Sequence, residues 1–350
     1  MPSPLSRSDH ALCVGIVSPG RWGKKLLDAV ADSEALTFGG IFSRDPVKRT
    51  QVTSAHGGRD YESYADLLND PQIEAVIIPT PHFLHHDQGI AALAAGKHIF
   101  VEKPLATTLE DAEALTVASR QYQRVLAVGH QARHTLAAQR VRGMLSDGKF
   151  GSLASVVVVQ GFPLLLNASP DNWRTLEANL PGGPLDEFGV HYFDLLQFWC
   201  GPVRRVSGFI NRNLTPGNVP DSVTACLEFT SGLIASYTAH FVSVGLSRVT
   251  LYGSKGALEL NRVGDQPSWW HPVTDMTAAR DGGGEPQPVD FGPPSLVSTA
   301  LQTELEDFAD SIRQGRNPAV GAPEALSALR ISRAILESAV TGQTVILPQP

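Results

Sequence analysis

The sequence predicts a two-part α/β chain: a parallel sheet wound with helices on both faces, followed by an α+β domain built on a mainly antiparallel sheet. Three observations predict it. Short apolar runs alternate with helical patterns from Ala11 to about His130, and longer β-rich segments then follow one another across short turns. At 350 residues the chain is also long for one hydrophobic core. The expected divisions are a loose tail over residues 1–10, the parallel-sheet domain over 11–130 and a second domain over 131–350.

Each early element follows from its pattern. ALCVGIV is an apolar run, SPGRWGKKLLDAVADS a glycine-containing turn passing into helical periodicity, and LTFGGIFS a second apolar run, which together make a βαβ unit. YESYADLLND then reads as a helix, AVIIPT as a strand, DQGIAALAAG as a helix and HIFVEK as a strand. The helix TLEDAEALTVASRQY and the strand VLAVGH complete the set. Strands separated by helices imply a parallel sheet, because right-handed crossovers lay the helices on its faces.

Beyond Gly151 the strand candidates are SLASVVVVQGF, VRRVSGFINR, SVTACLEFT, LIASYTAHFV, RVTLYG and ALELN. Turns as short as TSG and GSKG require antiparallel neighbours. DEFGVHYFDLLQFW is a strong helical pattern between them, and helices around LQTELEDFADSIRQG and EALSALRISRAILESAV close the chain. Residues from about Gln266 to Pro294, rich in Gly, Pro and polar side chains, read as a loop, and the pair Trp269 and Trp270 within it reads as a lid or an oligomer contact.

The first βα turn, S-P-G-R-W-G, is two-thirds of a G-x-G-x-x-G dinucleotide fingerprint, with Ser18 in place of the first glycine and Gly20 and Gly23 retained. Gly20 would let the backbone approach a pyrophosphate, Gly23 would let helix and sheet pack closely, and the helix N-terminus would present N–H groups to phosphate. Ser18, Gly20, Arg21 and Trp22 are therefore candidate cofactor contacts, although Pro19 removes one donor and an ordinary βα turn would look similar. The second strand ends IFSRD, where an acidic residue would hold an adenosine ribose. Ser43 and Arg44 stand there instead, and a hydroxyl with a guanidinium suits a 2′-phosphate. NADP is the preferred cofactor; Asp45, the next residue, keeps NAD as the alternative.

The run HIFVEKPLA ends a buried strand in Glu102, Lys103 and Pro104. Charges there are either a strand reaching solvent or a site at the carboxyl end of a parallel sheet, where open α/β folds bind ligands. Composition narrows the function classes. A net charge of -7 and a pI near 5.9 argue against a nucleic-acid binder, which needs a basic face. Cys13, Cys200 and Cys226 lie in apolar segments without metal or redox spacing and read as buried thiols. No segment has the makings of a signal peptide or membrane span, so a cytoplasmic protein is expected.

At HIFVEKPLA and PGGPLDEFGVHYFDLL the chain resembles the glucose-fructose oxidoreductase, inositol dehydrogenase and rhizopine catabolism (Gfo/Idh/MocA) family. The resemblance also covers AVIIPTPHFLHHDQGIAALAAGKHIFVEKPLA, the pair Trp173 and Arg174, the LYGSKGALEL hairpin and ELEDFADSIRQGRNP. It implies an N-terminal Rossmann domain, a C-terminal α+β domain with an open, mainly antiparallel sheet, and an NAD(P)-dependent enzyme. The reaction it implies moves a hydride between nicotinamide and a hydroxyl or keto carbon of a sugar, sugar derivative or cyclitol. By the same resemblance Lys103 reaches the substrate, Glu102 lies near the cofactor, and the Lys103–Pro104 peptide is cis. The family pattern D-x-G-x-H-x-x-D is matched at His191 and Asp194 but has Glu187 for its first aspartate. His191 is thus the expected proton acceptor, with Glu187 four residues earlier on the same helical face, orienting it or a second hydroxyl. Thr80, His82, Trp173 and Arg174 are further expected cofactor contacts, and His82 stands where asparagine is common. His85 matches a frequent family histidine, and no metal is implied. Gln131 and Arg133 line either the cleft or the solvent face. The expected partners are a carbohydrate-like substrate and further copies of the chain, as a homodimer or homotetramer. Two alternatives keep the fold: an NAD-dependent glycoside-cleaving relative, and a nucleotide- or sugar-sensing regulator without turnover.

Overall fold

A computed structural model describes residues 11–261, 268–273, 284–291 and 297–349. The expected tail at 1–10 and most of the segment expected to loop between Gln266 and Pro294 lie outside the described residues. The chain divides into two units, residues 1–134 with 297–326, and residues 135–296 with 327–350.

The first unit runs β1 (Leu12–Val17), α1 (Arg21–Asp32), β2 (Leu36–Phe42), α2 (Pro46–His56), β3 (Arg59–Tyr61), α3 (Tyr64–Asn69), β4 (Ala75–Ile78), α4 (His85–Ala94), β5 (His98–Glu102), α5 (Leu109–Gln121), β6 (Leu126–Gly129) and α6 (Gln131–His134). Its six strands are parallel in the order β3-β2-β1-β4-β5-β6. The order reverses beside β1, which puts a ligand crevice at the carboxyl ends of the central strands. All four residues of β4 and of β6 are buried, as expected of strands covered on both faces. Local chemistry sets the helix starts. Asp45 accepts the Val47 and Lys48 amides at the start of α2, Ser63 and Asp66 form a reciprocal capping box on α3, and Thr108 accepts the Asp111 amide on α5. The short β3 has only three residues and no alternating pattern, so periodicity did not reveal it.

The second unit holds α7 (Leu136–Ser146), β7 (Leu153–Gly161), α8 (Val190–Cys200), β8 (Val203–Asn211), β9 (Ser222–Phe229), β10 (Ile234–His240), β11 (Leu246–Gly253), β12 (Gly256–Asn261), β13 (Ser268–Pro272) and β14 (Gln287–Val289). The chain ends with α9 (Val297–Gln314), α10 (Ala322–Thr341) and β15 (Val345–Ile346). The nine-stranded sheet is open and antiparallel except where β7 runs parallel to β10. Strict alternation along β9 and β10 buries Val223, Ala225, Leu227, Ala235, Tyr237 and Ala239. Those side chains share one core with Phe193, Leu196 and Trp199 of α8 and Ile331 and Ile335 of α10.

Three expectations need correction. The helix α9, expected in the second domain, belongs to the first unit: Leu301, Leu305 and Phe308 pack with Leu26, Leu27 and Phe100. In the connection after it the Val320 carbonyl accepts the Val128 amide and Gly321 bridges Ala127, extending the first sheet by an antiparallel edge. The Trp269–Trp270 pair lies in β13, paired with β12 and β14, and Trp270 is buried edge-on against Phe150. Cys226 is exposed, because its place on β9 alternates outward, and Cys13 and Cys200 are only partly covered.

Candidate active site

In the first unit the candidate residues gather at the carboxyl ends of β1, β2, β4 and β5. Ser18 follows β1 with φ of 43°, the left-handed region for which the first fingerprint glycine is suited. Its amide donates to the Phe42 carbonyl, so the serine is held in that conformation at a cost on the order of 1 kcal/mol. Gly20 caps α1 in extended geometry with no side-chain cap, leaving the first-turn amides to another acceptor. A Cβ on Gly20 would meet nothing within 4 Å, whereas one on Gly23 would sit 2.9 Å from both Pro19 and Pro79. The two retained glycines therefore do different jobs: one leaves room above the helix, the other lets helix and strand approach. Arg21 is exposed, and Trp22 is partly buried with the Lys25 ammonium 4.9 Å from its ring centre.

The Trp22 indole donates to Glu102, which also accepts the Lys103 backbone N–H. The first turn of α1 is in this way tied to the end of β5. A Cβ on Gly129 would lie 2.8 Å from the Glu102 carboxylate, so the bare glycine on β6 makes space for it. The Lys103–Pro104 peptide is cis, and Lys103 is partly exposed. Both ring nitrogens of His85 face carbonyl oxygens, of Pro104 and of Thr80, at 2.9 Å. This side chain ties the loop after β4 to the loop after β5. Complete burial outweighs the pull of those acceptors and lowers the His85 pKa to about 4. The Thr80 hydroxyl is spent on Gln88, and His82 is buried against His85 with ring centres 5.8 Å apart.

At the end of β2, Ser43 is buried; its hydroxyl accepts the Asp45 amide and its carbonyl accepts Arg49. Asp45 is occupied as the cap of α2 and by Lys48 at 3.7 Å. Arg44 is exposed and has no ion-pair partner among the described residues. These residues fit a dinucleotide, with bare amides and open space at Gly20 and an exposed guanidinium at Arg44. Gln131 and Arg133 take part in α6, where Arg133 donates to the Ala319 carbonyl.

In the second unit Trp173, Arg174 and Thr175 form a 3-10 turn capped by Asn172. The Arg174 guanidinium lies 4.2 Å from the Trp173 ring centre and pairs with Glu187 at 3.3 Å. Glu187, paired with Arg174, lies in a π turn, Leu185–Gly189, that widens the helix before α8 begins. Wide turns of this kind recur at functional sites. His191 is partly exposed in the first turn of α8, and Asp194 is fully buried.

Asp186, beside Glu187, points the other way. It is buried with Arg333, Ser332 and the Gly182 amide as partners. Burial raises its pKa, and the Arg333 guanidinium overrides that, leaving the carboxyl below the usual carboxylate range. Asp186→Ala should cost about 3 kcal/mol of stability, because it strands a buried guanidinium, whereas Glu187→Ala should cost far less. Urea denaturation of the two variants checks this; equal losses would show that the pair does not anchor the turn.

Four features escaped sequence reasoning: the Trp22–Glu102 bond, the Glu187–Arg174 pair, Asp186 with Arg333, and the buried acid Glu304 on α9. Only the apolar neighbours of Glu304, in a helix otherwise reading as amphipathic, gave a sign of it. Among the described residues no cluster of three His, Cys, Asp or Glu side chains could hold a metal, and no helix is long and apolar enough to cross a membrane.

Comparisons with known proteins bear on this geometry. Residues 12–130 match the model of the GFO/IDH/MocA oxidoreductase family with its NAD-binding Rossmann fold, and residues 138–259 match the GFO/IDH/MocA C-terminal domain. The chain is 30% identical over 292 residues to the 1,5-anhydro-D-fructose reductase of Ensifer adhaerens, covering 82% of this chain and 83% of that one. It is 25% identical to the scyllo-inositol 2-dehydrogenase (NADP(+)) of Bacillus subtilis, with 81% of each chain covered. Among solved structures, the aldose-aldose oxidoreductase of Caulobacter crescentus superposes with a TM-score of 0.84 at 26% identity, covering 96% of this chain and 100% of the other.

Proposed function

Because this chain belongs to the GFO/IDH/MocA oxidoreductase family, and several of its named relatives act on sugars or inositols, we propose that it is an NADP-dependent dehydrogenase or reductase of a polyhydroxylated substrate. The observation that carries the reading is the Trp22–Glu102 hydrogen bond, which joins the helix turn suited to a pyrophosphate to the strand end bearing Lys103.

A bound nicotinamide dinucleotide supplies the hydride acceptor or donor. The amides at the start of α1 hold the pyrophosphate, and Arg44 with Ser43 receives the 2′-phosphate. In the oxidative direction His191 takes the proton of the substrate hydroxyl, for which an imidazole is suited near neutral pH. Lys103 places positive charge at the same oxygen and stabilises its alkoxide character as the carbon loses hydride. Arg174, fixed by Glu187 and stacked on Trp173, holds a second polar group of the substrate or the carboxamide end of the cofactor. The outward face of the second sheet, where Phe209 and Tyr252 are exposed, supports a homodimer or homotetramer.

The test is a screen of aldoses, ketoses and cyclitols with both dinucleotides, read at the nicotinamide absorbance. Arg44→Ala is expected to raise KM for NADP roughly 10- to 100-fold, the loss of a charge-assisted contact, and to leave KM for NAD nearly unchanged. An equal effect on both dinucleotides would remove Arg44 from the 2′-phosphate. Absence of dinucleotide binding would remove the enzyme reading altogether.

A further inference from the structure

Glu304 is 3% exposed, and neither carboxyl oxygen has a hydrogen-bond partner among the described residues. Its neighbours follow from helix and strand periodicity. Phe100 and Glu102 lie two apart on β5 and face the same way. Phe308 and Glu304 lie four apart on one face of α9. The Phe100 and Phe308 rings meet with centres 6.0 Å apart, which brings Glu304 into the same layer as Glu102. Glu102 is itself committed, accepting the Trp22 indole and the Lys103 amide.

We infer that Glu304 is a proton-holding residue coupled to the oxidation state of the bound nicotinamide: it stays neutral beside Glu102 when the ring is uncharged and gives up its proton when a cationic ring binds. The inference rests on the nicotinamide chemistry proposed above. Two adjacent buried carboxyls do not both ionise, and burial first and Glu102 second hold the Glu304 pKa well above its usual range. A positive charge within reach of Glu102, one side chain from the dinucleotide turn, relieves that restraint. The proton passes to the buffer and no bond to the cofactor is made.

The other ionisable groups around α9 are already engaged or neutral. Glu306 bonds Ser33 and Gln302, and Asp307 bonds Arg316 and the Ala319 amide. His130 and His134, next to α6, are held largely uncharged by burial, with pKa values lowered to about 3 and about 4. Lys103 follows Glu102, Lys25 lies over Trp22, and Arg133 is tied to the Ala319 carbonyl. Their cationic charge is present in either oxidation state of the ligand, so it cancels from a comparison of the two.

The experiment is calorimetric titration of the full chain with NADP+ and with NADPH, each in two buffers of different ionisation enthalpy, slightly above neutral pH. The 2′-phosphate is common to both ligands, so its protons cancel in the difference. The wild-type protein is expected to release up to about one proton more with NADP+ than with NADPH. Glu304→Gln, the neutral isostere, and Glu304→Met are both expected to abolish that difference while still binding both ligands. A difference that survives in both variants, or none in the wild type, overturns the inference. Failure of the wild type to bind either dinucleotide overturns the proposed function as well, so the two failures are told apart.

Discussion

Lys103→Met is expected to lower kcat/KM roughly 10²- to 10³-fold, the loss typical of removing one electrostatic donor to a developing oxyanion. His191→Ala is expected to lower it roughly 10²- to 10⁴-fold, the range for general acid–base catalysis. Methionine keeps most of the stem of Lys103 and deletes only its charge, so packing at the end of β5 is preserved. The losses should fall on kcat for the hydride step, because both groups act on the substrate oxygen. NADP affinity should change little in His191→Ala, since the dinucleotide contacts proposed at Ser18, Gly20, Ser43 and Arg44 all come from the other unit. The two variants also discriminate between roles. An imidazole that accepts the proton gives the wild-type kcat an ionisation near neutral pH, which His191→Ala removes and Lys103→Met retains. Stopped-flow hydride transfer with a substrate found in the screen checks both; unchanged rates in both proteins would overturn the assignments.

The parallel sheet was legible because its strands are buried on both faces and read as apolar runs, while its helices show one covered side. The end of β5 stood out for the opposite reason: Glu102 and Lys103 break an apolar run where a buried strand has no need of charge. What stayed hidden depends on encounters between residues far apart in sequence. Nothing in LQTELEDFADSIRQG says that its apolar stripe packs on Leu26 and Phe100 rather than on the sheet that precedes it in the chain. The loop reading of the segment around Trp269 and Trp270 failed because a five-residue strand within a polar segment is decided by its partners β12 and β14, not by its own composition. Glu187 was assigned by the spacing of a regular helix. The π turn at Leu185–Gly189 carries Asp186, buried against Arg333 in an ion pair invisible to local pattern.

Acidification should unfold the first unit well before its carboxylates are protonated. Burial first lowers the pKa of His85, His98 and His134 to about 4 and of His130 to about 3. Geometry agrees for His98, whose Nδ1 accepts the Val125 amide and must therefore be unprotonated. All four belong to the same unit. In the unfolded chain each takes a proton near pH 6.5, so unfolding draws in protons below that value. Stability is complete above about pH 6.5 and is lost as pH falls toward about 4. Glu304 opposes them: its folded pKa is raised, so it keeps a proton that the unfolded chain has released, and acid favours the fold at that site. Four histidines less one glutamate leave a net uptake of about three protons on unfolding near pH 5. At about 1.4 kcal/mol per proton per pH unit, with the His98 share reduced because solvent screens its partly exposed ring, the loss between pH 7 and pH 5 is on the order of 4 kcal/mol. Asp70, whose carboxyl is held below the usual range, adds to the loss only below about pH 4, where the unfolded carboxylates protonate. Hydrogen exchange read by mass spectrometry at graded urea, at pH 7 and pH 5, follows the units separately. Peptides of β4, β5 and β6 should lose protection at lower urea in acid, and His130→Phe should flatten that dependence by about one proton. A first unit equally stable at both pH values would mean that these imidazoles reach solvent in the folded chain, and that the buried layer linking β4, β5 and α9 is more open than its packing indicates.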